Sequence, residues 1–122
     1  TAADAIDPAS YEALSTRLQL GQAQLAQGRH ADAHALFDGL IAAIDAAPSE
    51  GPIGRTTLDA DARVYRMHAA IGLGRYDEAR ADGEWALARY EALNRAETIR
   101  AEALLGIGEA AWRAGDLVAA RA

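Results

Sequence analysis

Gly106-Ile107-Gly108-Glu109-Ala110-Ala111 fits the spacing G-x-G-x-x-A, with which a nucleotide-binding turn brings bare amides against a pyrophosphate. That chemistry needs a strand before the turn and a helix opening after it. Here Ala103-Leu104-Leu105 continue a helical pattern into the motif, so its glycines read as helix contacts and no nucleotide is expected. His30, His34 and Asp38 stand four apart, a spacing that lets imidazoles on one helix face chelate zinc. No Glu follows His30 as in a metalloprotease helix, and His30 falls where a turn needs a packing ring, so structural roles are expected and no metal. Asp32, Asp77, Glu78, Asp82 and Glu84 occupy polar helix positions. Raising a carboxylate's pKa for acid–base work takes burial or a close like charge, and nothing in their spacing marks one out. The serines, Ser10, Ser15 and Ser49, lie in no nucleophile elbow, and there is no cysteine. The chain does not read as an enzyme, and no cofactor is expected.

The elements that would carry these residues follow from composition. Of 122 residues, 51% are hydrophobic, 25% charged and 6% aromatic, and 32 are alanine. This suits one folded domain and excludes a disordered tail. Small side chains in such number favour closely packed helices. No 18-residue run is free of charge, so no membrane span is expected. The net charge of −6 disfavours a nucleic-acid surface, which is usually basic. All twelve bases are arginine, which suggests a GC-rich coding bias and not a function, and a fragment of a larger bacterial protein is expected. No basic-then-apolar leader opens the sequence, and a cytoplasmic location is expected.

Punctuation divides the chain into helices. Asp7-Pro8 reads as the first cap and first helical residue, followed by Leu14, Leu18 and Leu25 on one face up to Gly28. A second stripe runs through Ala33, Leu36, Phe37, Leu40, Ile41 and Ile44. Two prolines and two glycines make residues 47–54 a loop. Thr56, with Asp59 three residues on, predicts the cap of a third helix that Gly74 closes. A fourth helix spans about Asp77 to Leu93 with Ala79, Trp85, Ala86, Leu87 and Tyr90. A fifth, capped near Asn94, runs to Ala114, and Gly115-Asp116 is expected to open a sixth. No segment alternates like a strand, and the fold is read as all-α.

Three turns repeat a pattern: Gly28-Arg29-His30-Ala31-Asp32-Ala33, Gly74-Arg75-Tyr76-Asp77-Glu78-Ala79 and Gly115-Asp116-Leu117-Val118-Ala119-Ala120. Leu20-Gly21 and Ile107-Gly108 stand at equal offsets before the first and third, and Ala23, Ala69 and Ala110 lie five before each glycine. This resembles the tetratricopeptide repeat (TPR) family, in its long-repeat, kinesin-light-chain-like variety. The first unit matches best, with Leu20, Gly21, Gly28, Ala33 and Phe37 in place. The second departs: Arg66-Met67 replaces Leu-Gly, and Gly83 stands where the first unit has Phe37. The resemblance implies a right-handed α-solenoid of antiparallel helix pairs, about 2.5 repeats, in a single domain with units near 8–47, 56–93 and a truncated 95–122.

The resemblance also implies binding. Residues three and ten before each turn glycine would line the concave groove: Leu18 and Leu25, Val64 and Ile71, Leu105 and Trp112. Gln22, His68 and Glu109 fall between them. Apolar rows beside a polar row suit a peptide or partner protein, so a protein-interaction scaffold is expected. The alternative is a sensory or regulatory module of a larger bacterial signalling protein, a kinase or transcription regulator. The family's carboxylate clamp uses Lys and Asn, whereas this chain has no lysine and one asparagine, Asn94. Self-association is expected through the C-terminal end, where Leu104, Leu105, Ile107 and Trp112 face only the stub Asp116–Ala122.

Overall fold

A computed structural model describes residues 10–47, 57–93 and 97–121, and every regular element among them is helical. The helices are α1 (Tyr11–Ala26), α2 (His30–Asp45), α3 (Leu58–Gly72), α4 (Tyr76–Leu93) and α5 (Glu97–Arg121). The expected Asp7-Pro8 start, the 48–54 stretch, the Thr56 cap and the Asn94 cap lie outside the described residues. At the described end of α1, Ser10 is the N-cap, its Oγ accepting from the Ala13 amide at 3.2 Å. This satisfies one of the free first-turn donors. α3 starts after Thr57, whose hydroxyl donates to Asp61 and so does not cap the backbone.

Two turns of one construction join α1 to α2 and α3 to α4. Gly28 and Gly74 hold φ of 75° and 76°, the left-handed region in which only glycine is unstrained. At the first, the Arg29 amide donates to Gln24 O at 2.9 Å and the Gly28 amide to Leu25 O at 2.9 Å. At the second, Arg75 donates to Ala70 O at 2.8 Å and Gly74 to Ile71 O at 3.1 Å. Both are Schellman closures, which satisfy helix-end carbonyls while the chain reverses.

The third expected turn is not there. α5 runs through Gly115 as one helix, so the described residues form two hairpins and a long fifth helix, with no sixth helix opening at Asp116. Glycine alone does not end a helix; inside one it costs only about 1 kcal/mol against alanine. The other two turns carry a ring two residues on. The His30 ring lies against Gly72, and Tyr76 packs against the second core. Leu117 stands at that position after Gly115.

The stripe expected on α2 is the heart of the first core. Ala33, Phe37, Leu40, Ile41 and Ile44 are buried with Leu14, Leu18, Leu58, Ala62 and Ala69, and Leu36 packs at the edge. Each large aliphatic side chain removed from water contributes about 1.5–3 kcal/mol. The second core joins Ala60, Val64, Met67, Ala70 and Ile71 of α3 to Ala79, Ala86 and Tyr90 of α4 and Ala103 and Ala110 of α5. α3 is therefore the shared wall, in contact with all four other helices.

The departure of the second unit has a steric explanation. Gly21 lies seven residues before Gly28 and Phe37 nine after it. Met67 and Gly83 hold the same offsets about Gly74. A Cβ on Gly21 would overlap the Phe37 ring, and a Cβ on Gly83 would stand 2.8 Å from Met67 Sδ. Each hairpin thus has one bare site and one bulky side chain seated on it, with the bulky member moved from the second helix to the first. The packing glycine of α5 also differs from expectation. Nothing lies within 4 Å of a Cβ on Gly108, whereas one on Gly106 would overlap Met67. The close contact is at Gly106 because Ala103, Gly106 and Ala110 form the buried side of α5.

Candidate functional site

Polar side chains tie α2, α3 and α4 together. Arg66 presents Nε and Nη2 to the two carboxylate oxygens of Asp82, at 2.8 and 2.6 Å, and Nη1 to Asp38 at 2.9 Å. Asp82 is 5% exposed and not on a solvated face as its spacing suggested. Burial works against the charged guanidinium, but the Asp82 hydrogen bonds dominate and push Arg66 above its usual range. His34, also buried, lies between Glu78 and Asp38, with Nε2 hydrogen-bonded to Glu78 and Nδ1 3.4 Å from Asp38. His30 turns its ring onto Gly72. The two histidines thus serve different contacts, and among the described residues no group of three or more His, Asp or Glu side chains could hold a metal ion.

A second cluster closes the far end of the α3–α4 hairpin. Buried Tyr90 donates to Asp61 at 2.5 Å, Thr57 donates to the same carboxylate at 3.1 Å, and Arg89 pairs with Asp59 at 3.1 Å. Burial raises the Asp61 carboxyl despite these donors. Burial and the Asp61 hydrogen bond together hold the Tyr90 phenol far above its ordinary 10.0. The sign of the pH effect follows. Above pH 10 the unfolded phenol loses its proton and the buried one keeps it, so the unfolded state binds fewer protons and stability falls as pH rises. One such proton amounts to about 1.4 kcal/mol per pH unit. Denaturant titrations from pH 9 to 11 are expected to show a steeper alkaline loss for the parent than for Tyr90→Phe, by about 1.4 kcal/mol at pH 11. Equal alkaline slopes would remove Tyr90 as the titrating group.

The residues expected to line a groove separate into two sets. Val64 is fully buried, and Leu18 and Ile71 are 7% and 6% exposed. These three belong to the cores and cannot reach a ligand; their apolar spacing reflects packing between neighbouring helices. Leu25 is half-buried against the first core, and Gln22 and His68 are half-buried. Leu105 and Trp112 on α5 are 73% and 67% exposed, and Glu109 is exposed between them, paired with Arg113 at 2.8 Å. The open part of the predicted groove is therefore α5 with the adjoining edge of α3.

That edge carries residues the spacing analysis missed. Tyr65 stacks on Phe37 at 6.2 Å and tilts against His68 at 6.3 Å. Burial pushes His68 below the ordinary imidazole range, while Glu102 and Glu109 of α5 pull it back. Burial raises Tyr65, and Glu102 and Asp61 add to the rise. Tyr65 and His68 are three apart and Glu102 and Glu109 seven apart, so helical spacing from the two polar groove positions would have found both. Leu104 is 52% exposed beside Leu105. Trp85 is 41% exposed but covered by Arg63, whose guanidinium lies 3.7 Å from the ring centroid.

Comparison with known protein families, with curated proteins and with solved structures finds no match to this chain. Among the described residues no helix is long and apolar enough to cross a membrane.

Proposed function

We propose that this chain is a TPR-like helical-repeat module, a right-handed solenoid segment, that binds a protein or peptide partner on the outer face of α5. The repeat reading is supported by the two matching Schellman turns 46 residues apart and by the Gly/bulky exchange at equal offsets. It is also supported by the contacts of α3 with both α1 and α5. The observation that carries the binding reading is the exposure of Leu105 and Trp112, four residues before and three after Glu109, on a helix whose opposite side is buried. Large apolar side chains clustered on one exposed face mark interaction surfaces, and tryptophan is among the residues that most often dominate binding energy. His68, Gln22 and Glu109 supply polar contacts at the margin.

The test is a selection of displayed linear peptides on the purified protein, with affinities then measured against variants. Trp112→Ala is expected to weaken a selected ligand by more than about 1 kcal/mol, the usual threshold of a significant interface residue. Its melting temperature should stay close to the parent's, because the indole is two-thirds exposed. Unchanged affinity for both Trp112→Ala and Leu105→Ala would overturn the assignment of this face. A large loss of stability in Trp112→Ala would place the indole in the core instead.

A further inference from the structure

Helical glycines in this fold act as sockets. Gly21 receives Phe37, Gly72 the His30 ring, Gly83 Ile107 and Met67, and Gly106 Met67. Among the described residues Gly108 and Gly115 receive nothing: outside their own helix backbone no atom lies within 4 Å of the place where either Cβ would stand. Each costs about 1 kcal/mol of helix propensity against alanine, and no contact among the described residues offsets it. They lie two turns apart and so share one stripe of α5. Exposed on that stripe and its crest are Ala101, Leu104, Leu105, Ala111 and Trp112. Empty sockets and unseated bulky side chains thus occupy the same helix face.

We propose that a second copy of this chain covers that face, the two α5 helices crossing antiparallel about a twofold axis at Gly108. This rests on the reading of α5 as a binding surface and names its partner. An axis there sets Gly108 against Gly108, where the backbones approach without side chains between them. Trp112 meets Leu104, Leu105 meets Ala111, and Ala101 meets Gly115. Leu105 opposes Ala111 near the axis, the two Trp112–Leu104 pairs flank it, and Ala101 against Gly115 lets the ends approach, the same contacts being made twice as an isologous interface requires.

Charge favours the same occupant. The chain carries −6, so two copies repel over most of their surfaces. Among the exposed α5 residues from 101 to 115 the only charged one is Glu109, and its own Arg113 neutralises it. The two Glu109 side chains come near each other beside the axis, each held by the Arg113 of its own helix at 2.8 Å. The area fits a small, reversible interface. A buried aromatic side chain hides about 150–250 Å², and Trp112 with the two leucines supplies about half of the roughly 800 Å² per partner of a standard interface. A dimer in exchange with monomer at micromolar to millimolar concentration is expected.

Sedimentation velocity over that range tests it, with Gly108→Glu as the first variant. A Cβ there meets no side chain among the described residues, and the substitution raises helix propensity, so the monomer should be at least as stable as the parent. At a twofold axis it opposes two carboxylates, and association is expected to weaken at least tenfold. Because the chain has no cysteine, Gly108→Cys places a single thiol on the proposed axis, and Ala101→Cys places one away from it. Mild oxidation should cross-link the first rapidly and the second slowly. A strictly monomeric parent at millimolar concentration, a dimer indifferent to Gly108→Glu, or equal cross-linking at the two positions would each overturn the second-copy assignment. If the chain is monomeric yet selected peptides still depend on Trp112, the partner is heterologous and the binding face stands. If neither self-association nor α5-dependent peptides are found, both readings fall.

Discussion

Gly106→Leu is expected to destabilise the protein by about 3 kcal/mol or more, at the upper end of what overpacking a well-filled core costs. A Cβ at this position already overlaps the thioether of Met67, and the branched carbons beyond it have no space between α3 and α5. Met67 is fully buried and its thioether also lies beside Gly83, so it can yield only by displacing other core atoms. Thermal melts should show a fall of about 10 °C or more for a domain of this size. Gly108→Leu, two residues along the same helix, is the control. It carries the same gain in helix propensity and meets open space, so its melting temperature at low protein concentration should equal or exceed the parent's. Pairing Gly106→Ala with Met67→Ala should cost less than the sum of the two single changes, since the shorter side chain vacates the overlap. Equal melting of Gly106→Leu and Gly108→Leu would show that α5 is not seated on Met67.

Particular residues show what was legible in the sequence. The α2 stripe was readable because six apolar residues keep helical spacing and five of them are buried. The turns at Gly28 and Gly74 were readable because a ring follows each glycine at the second position. The false turn at Gly115 shows the limit of the glycine signal without that ring. The offset shared with Gly21 predicts a close contact at Gly108, but that offset is defined by a turn that α5 does not make, and the contact falls at Gly106. Spacing alone places Val64 and Ile71 in a groove because a buried apolar row and an exposed one have the same spacing. Only packing decides between them, and α3 is enclosed by four neighbours where α5 is not. The spacing of Asp82 predicts a solvated position because its partner Arg66 lies sixteen residues away on another helix, a distance at which no local pattern reports pairing.

Arg66→Ala is the other substitution with a large expected effect. The first hairpin has Leu20 eight residues before its turn glycine and Leu36 eight after; the second has Arg66 and Asp82 at those offsets. The ion pair therefore stands where the first hairpin has two leucines, Leu20 being 52% exposed and Leu36 packed at the core edge. Removing the guanidinium leaves the Asp82 carboxylate 5% exposed, without the two hydrogen bonds that satisfy it, and frees Asp38 beside His34. Breaking one side of a buried pair in this way typically costs about 3–5 kcal/mol, most of it the desolvation of the charge left behind. Arg66 retains a fifth of its side-chain exposure, and solvent screening of the pair places the expectation near 3 kcal/mol, at the lower end. The double change Arg66→Leu with Asp82→Leu restores the chemistry of the first hairpin. It should recover most of the loss, because well-packed apolar residues replace a buried pair at little or no cost. Adding Arg66→Ala to Asp82→Ala should likewise cost much less than either change alone predicts. Denaturant melts of these variants at one pH decide the matter: additive losses, or an Arg66→Leu/Asp82→Leu protein no more stable than Arg66→Ala, would mean that Arg66 acts through Asp38 and the polar surface and not through the buried carboxylate.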